Sequence, residues 1–150
     1  MQLGGKSKLK VPPKIWTFLW KACSNCLPTR DNLRRKKVQV EGTCDFCRSE
    51  TEIVAHIIWS CPFAKNVWAL VKGQIQKCNN ETEDFFLLFK HLQYMLEGED
   101  LDRWVTTAWA IWNSRNKFYF EHIQLEPRSI LEKATNLITE YQALMATGQG

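Results

Sequence analysis

No apolar run in this 150-residue chain approaches the roughly 18 residues that a membrane-spanning helix needs. The opening, Met1 to Lys10, is polar and basic and lacks the apolar stretch of a secretory signal. These absences predict a soluble intracellular protein of the nucleus or cytoplasm, neither secreted nor membrane-bound. In a reducing compartment, six cysteines read better as metal ligands or free thiols than as disulfides. The carboxylates are also scattered over helical and loop segments, without the strand-borne acidic cluster of two-metal nuclease chemistry. Disorder is excluded for most of the length, because 45% of the residues are hydrophobic and seven are tryptophan. One ordinary domain, or a compact pair of subdomains, with a substantial core is the expectation.

What the sequence does contain is an ordered set of soft ligands. Cys44-Asp45-Phe46-Cys47 is followed after eight residues by His56 and after four more by Cys61. Two cysteines separated by two residues wrap a tight knuckle whose sulfurs converge on a metal about 2.3 Å away. The segment leading to His56 turns apolar after Ser49 and Thr51, two candidate caps, and predicts a short helix carrying the histidine. Cys61 precedes Pro62, and proline favours the first helical position, so the Cys61 sulfur is placed beside a helix N-terminus whose partial positive charge favours a thiolate. Three thiolates and one imidazole close a tetrahedral site with no open position for water, which predicts one structural zinc and no catalytic metal.

A second ligand set competes on spacing. Seventeen residues separate Cys26 from Cys44, and with Cys44 and Cys47 the Cys23 and Cys26 pair fits the generic four-cysteine zinc pattern. Against it, Pro13 to about Asn25 reads as a helix with Ile15, Phe18, Leu19 and Ala22 on one face, which puts Cys23 and Cys26 at a helix end. That set also leaves His56 and Cys61 without a role. Cys-x-x-Cys is equally a redox motif, but a thiol oxidoreductase needs an exposed low-pKa pair and a cysteine hydrolase needs a histidine beside its nucleophile. Metal ligation accounts for these residues better, and the chain is read as a non-enzyme.

The net charge of +4 hides an asymmetry. Residues 1–43 carry ten Lys or Arg against Asp31 and Glu41, while the remainder carries ten against fourteen acidic residues. The density peaks at Arg34-Arg35-Lys36-Lys37, just ahead of the knuckle. Such a patch suits phosphate contact with RNA or DNA, through Lys10, Lys14, Arg30, Arg34, Arg35, Lys36 and Lys37. It is also what a solvated helix end carries, since cations complement the macrodipole there. Trp16 and Trp20 are candidates for base stacking, although aromatics at helical spacing are more often core.

The remaining chain reads as nearly all α. Thr29 is placed to cap a helix over Arg30–Lys37, and Val38-Gln39-Val40 alternates as a short extended segment. Pro62 opens a helix to about Gln76 with Phe63, Val67, Leu70 and Val71 inward and Trp68 on its flank. Glu83 to Leu96 carries a broad apolar stripe at helical spacing. Asp100 is placed to cap a long helix through Trp104, Ala108, Ile111, Trp112 and Arg115 toward Phe120. Pro127 opens a last helix with Ile130, Leu131, Ala134, Leu137, Ile138, Tyr141 and Leu144 on one face, ending near Gly148.

With these residues laid out, the chain resembles the zinc-binding domain that follows the reverse transcriptase in plant non-LTR (LINE-type) retroelement polyproteins and their ribonuclease H-like relatives. The resemblance rests on Pro12 to Ala22, on Leu27-Pro28-Thr29-Arg30-Asp31-Asn32-Leu33, and on Cys44, Cys47, Glu52, His56, Cys61-Pro62-Phe63-Ala64 and Val67-Trp68. Farther on, Trp109-Ala110-Ile111-Trp112-Asn113-Ser114-Arg115-Asn116 resembles a segment that leads toward a ribonuclease H-like domain. It implies Cys44, Cys47, His56 and Cys61 as zinc ligands, with Cys23 an ordinary helix residue. The chain is expected to be mostly α, with a zinc-binding domain over residues 1–97, made of a basic helical part at 11–43 and a zinc unit at 44–78, followed by a helical extension at 98–150, which the resemblance implies leads toward a ribonuclease H-like domain. Neighbouring polymerase and ribonuclease H-like domains are the implied partners, along with RNA or DNA. Catalysis does not carry over, since no Tyr-x-Asp-Asp polymerase motif occurs here. The alternative is a protein-interaction or inter-domain scaffold module whose positive charge is incidental.

Overall fold

A computed structural model describes residues 9–78 and 82–148. Within them the chain is helical, with a lone antiparallel bridge between Thr43 and Thr51 in place of a strand. Helix α1 spans Pro13–Cys23, with Pro13 at its first position and Ile15, Phe18, Leu19 and Ala22 buried. Helix α2, Arg30–Arg35, is capped by Thr29, whose hydroxyl accepts the Asn32 N–H at 3.1 Å. A π-helical turn, His56–Ser60, leads into α3, Pro62–Trp68. Helix α4 covers Phe85–Met95 and is capped by Asp84, which accepts the Phe86 N–H at 2.9 Å. Helices α5, Glu99–Glu121, and α6, Pro127–Ala146, complete the chain. No helix among the described residues is long and apolar enough to cross a membrane.

Two local expectations are corrected. The helix opened by Pro62 stops at Trp68 instead of continuing to Gln76. Its apolar pattern had a different cause: Val71 and Ile75 are buried, but an irregular segment with Gly73 at φ 98° and a 3-10 turn at Gln74–Lys77 turns them inward, and Leu70 stays exposed. The start of α5 is also shifted. Asp100 lies in its first turn, and Gly98, at a φ of 52° that favours glycine, takes the capping position.

Helix α5 is the axis of the molecule. Trp104, fully buried near its N-terminal end, stacks on Trp68 of α3 at 5.4 Å between ring centres and meets Trp59 of the π-turn and Phe85 and Phe89 of α4. Such aromatic pairs are worth about 0.5–1.5 kcal/mol each beyond the area they bury. The Trp68 indole N–H donates to the Ile58 carbonyl at 2.7 Å, so the ring buries its polar edge with a partner. Helix α6 runs back along α5 and buries Ile130, Ala134 and Ile138, one face at four-residue spacing. The predicted apolar face extends beyond what is covered, since Leu144 is half exposed. Across the far end, Gln142 of α6 donates to the Asp102 carboxylate at 3.1 Å and to the Lys10 carbonyl at 3.2 Å, and the Lys10 N–H donates to Asp102 at 3.0 Å. This ties the start of the described chain to both C-terminal helices.

Candidate metal centre

The knuckle is built by backbone geometry. Gly42 and Glu52 pair through a 2.7 Å Glu52 N–H to Gly42 carbonyl bond, the Cys44 N–H reaches the Glu50 carbonyl at 2.8 Å, and the Arg48 N–H closes the turn on the Cys44 carbonyl at 3.0 Å. Arg48 takes a left-handed φ of 56°, which reverses the chain after Cys47. The flexible end of the Arg34 side chain lies over Gly42, in the space a Cβ would take. Phe46, at the tip between the two cysteines, stacks on Phe63 of α3 at 4.5 Å and leans on Phe118 of α5 at 4.8 Å. The knuckle is therefore seated on both helices.

His56 and Cys61 come from the other side. The Cys61 N–H donates to the His56 carbonyl at 2.7 Å, five residues back, which is the hydrogen bond of the π-turn. The helix foreseen around His56 is thus this wider turn, entered from Val54 without a side-chain cap; Thr51 makes the bridge to Thr43 instead. Cys61 is the N-cap of α3, with Pro62 first in the helix.

The structure brings Cys44, Cys47, His56 and Cys61 together, with their ligand atoms all within 4.8 Å of one another. Cys44 Sγ and Cys61 Sγ lie 3.9 Å apart, and Cys47 Sγ lies 3.4 Å from His56 Nε2. Ideal tetrahedral zinc with sulfur bonds near 2.3 Å and nitrogen bonds near 2.1 Å has S···S and S···N edges of about 3.8 and 3.6 Å. The donor set therefore fits a Cys3His metal site. Cys44 and Cys61 are buried, Cys47 is half-buried, and the Ser49 N–H donates to the Cys47 sulfur at 3.5 Å.

The protons in this cluster are redistributed. The hydrogen bond to Cys61, followed by burial, pushes the Cys44 thiol up to about 12. Cys61 moves down: its hydrogen bond with Cys44 contributes most, burial opposes it, and the Phe63 and Ala64 N–H groups at the start of α3 add to the lowering. Burial disfavours the charged His56 ring, but hydrogen bonds and charge from Cys44 and Cys47 outweigh it and raise the group overall. Of the Cys44 and Cys61 pair, the sulfur at the helix start is the more readily ionised, and a divalent cation bound among the four would favour thiolates throughout.

Residues 6–68 match the family model described as zinc-binding in reverse transcriptase. This segment is similar to that zinc-binding family. The match spans less than half of the chain. A relative in Arabidopsis thaliana named "Putative ribonuclease H protein" is 27% identical over 67 residues, which cover 45% of this chain and only 11% of that protein. No solved structure matches. The zinc-binding family and the Cys3His cluster together point to zinc as the metal.

Outside the cluster, Cys23 and Cys26 sit apart from the four ligands. Cys23 ends α1, where burial, followed by the nearby Asp84 charge, pushes its thiol up to about 12 against the opposing effect of Lys90. That is an inert thiol. Cys26 is exposed and its Sγ–H donates to the Ser24 carbonyl at 3.4 Å.

The seven basic residues singled out by the sequence divide into groups. Arg34, Lys36 and Lys37 are exposed and lack an ion-pair partner among the described residues. Arg35 pairs with Asp31 one turn away at 3.2 Å. Arg30 is committed internally: its guanidinium meets Asp45 at 2.9 Å and the Glu41 carbonyl at 3.1 Å, and lies 5.0 Å from the Tyr119 ring centre. It braces α2 against the knuckle. Lys10 and Lys14 lie away from α2, Lys14 over the Trp109 ring at 4.8 Å. Of the two stacking candidates, Trp16 is half-buried against the core and Trp20 is about half exposed.

One residue pair escaped the sequence reading. Glu52, with no exposed surface, accepts the Arg30 backbone N–H at 2.7 Å and a two-pronged contact from the buried Arg115 guanidinium, at 2.6 Å from Nη2 and 3.3 Å from Nε. Its carbonyl also accepts the Asp31 N–H at 3.2 Å. One carboxylate thus joins the start of α2, the approach to the knuckle and α5. Both residues belong to the motifs that carry the family resemblance, but they lie 63 positions apart and no periodicity links them.

Proposed function

We propose that Cys44, Cys47, His56 and Cys61 hold one structural zinc, and that this zinc-stabilised module is a non-catalytic accessory domain that helps a retroelement-derived reverse transcriptase protein hold RNA or DNA. The convergence of three thiols and one imidazole, with no fifth donor in the group among the described residues, carries the zinc reading. A closed four-ligand site organises the chain and activates no water. The exposed cations Arg34, Lys36 and Lys37, beside the knuckle and held in register by Arg30, support phosphate contact, with Arg35, Lys10 and Lys14 adding charge. Polymerase and ribonuclease H-like chemistry are assigned to other parts of a longer parent protein. The non-LTR origin belongs to the same proposal, as does the division of roles between residues 1–97 and the helical extension 98–150.

Zinc content per chain tests the ligand set. Cys44→Ser and His56→Ala are expected to lose the metal and Cys23→Ser to keep one equivalent; the reverse pattern would establish the four-cysteine site. Binding to a labelled oligonucleotide tests the second half, with affinity falling steeply as salt rises and weakening on neutralisation of Arg34, Lys36 and Lys37. A scaffold role is the second reading, favoured by Phe120, 71% exposed at the end of α5, and by half-exposed Ile123. Salt-independent behaviour with self-association on sizing would select it.

A further inference from the structure

Two lysines from opposite ends of the chain converge on one indole. Lys14 of α1 lies 4.8 Å from the centre of the Trp109 ring and Lys133 of α6 lies 5.7 Å from it. Both ammoniums therefore sit against the same ring, no more than about 10.5 Å apart. Neither has a carboxylate within ion-pair distance among the described residues. Trp109 is half-buried, and it is the partly exposed member of a helix whose neighbours Ala108 and Ala110 are buried. An open groove of about 950 Å³ runs between α1 and the end of α6; its lining includes Pro13, next to Lys14, with Lys10, Trp16 and Tyr141, and also the acidic Glu99 and Asp102. Asp102 in its floor is already engaged by the Lys10 N–H and Gln142.

We infer that Lys14, Trp109 and Lys133 form a second contact site for a phosphodiester strand, in which the two ammoniums hold phosphates of a single-stranded nucleic acid and the adjoining aromatic groove receives its bases. Cations without counter-charges supply the electrostatic complement, and interleaved aromatics supply surfaces that stack any base. Lys133 belongs to none of the basic clusters visible in the sequence and enters only because α6 folds back on α5. The site rests on the nucleic-acid reading above but lies on other helices than the Arg34–Lys37 patch.

The test is fluorescence anisotropy of the zinc-loaded full chain with a labelled single-stranded oligonucleotide, titrated with salt. The double variant Lys14→Gln/Lys133→Gln is expected to bind several-fold more weakly and to lower the salt slope by about 1.4, two phosphate contacts at 0.7 each. Lys72→Gln/Lys90→Gln, which removes the same charge elsewhere, is expected to leave the slope near the wild-type value. If the first pair leaves affinity and slope unchanged while neutralising Arg34, Lys36 and Lys37 weakens binding, the second site is overturned and the broader reading stands. If the wild type binds no oligonucleotide, both fall. Displacement by polyglutamate as readily as by unlabelled oligonucleotide would overturn the choice of nucleic acid, the site then accepting any polyanion.

Discussion

The aromatic core around Trp104 and the thiol and imidazole cluster around Cys44 both lie buried against the same helix, but different physics holds them. In the core, five aromatic rings from the π-turn, α3, α4 and α5 bury one another, and the stabilisation is distributed over many weak contacts. Around the thiol and imidazole cluster, residues 42 to 53 contain no helix, and the backbone is held by a few hydrogen bonds, one buried carboxylate and the convergence of four ligand side chains. Apolar burial tolerates small losses, because each ring keeps its other neighbours. A cluster of ligands does not, because its members have no reason to stay close without what they bind.

Metal removal is expected to break the comparison most sharply. Chelation forfeits apparent binding energy on the order of 10 kcal/mol in small zinc domains. Amide exchange at residues 42–61 is expected to become fast while the near-ultraviolet signal of the tryptophan cluster persists. Simultaneous loss of both would show that the two regions fold as one unit. Next in size, Trp104→Ala is expected to cost about 3–5 kcal/mol in denaturant unfolding by leaving a ring-sized cavity, with zinc stoichiometry retained in the folded fraction. Glu52→Gln comes third at about 3 kcal/mol, since the amide can still accept the Arg30 N–H but leaves the buried Arg115 charge uncompensated. A double-mutant cycle with Arg115→Met sharpens the point: the pair changed together is expected to lose clearly less than the sum of the single changes.

The two regions also differ in how far the amino-acid sequence discloses them. Helices α1 and α6 were legible from proline at the first position and a regular apolar face, and the helix start after Cys61 from the Cys-Pro step. The spacing of Cys44, Cys47, His56 and Cys61 named the four residues that the fold brings together. Less could be read where contacts are long-range. Val71 matched a helical period, yet it reaches the core from irregular backbone, as Ile75 also does, because burial selects apolar residues whatever the local geometry that delivers them. Arg30 looked like one more cation for phosphate, but Asp45 and Tyr119 approach it only in the folded chain. Glu52 was a polar residue between two ligands until Arg115, on a different helix, gave it a partner.

The π-turn between His56 and Cys61 acts as a spacer of set length. Its five-residue hydrogen bond holds the imidazole and the last sulfur in phase, and an ordinary α-turn would be one residue shorter. Ile57, Ile58 and Trp59 face the core and can be exchanged for other apolar residues of similar size at modest cost. Deleting any one of them would instead rotate His56 by roughly 100° relative to Cys61, the turn per residue of a helix. Along this segment, variation in chemistry is tolerable and variation in residue number is not.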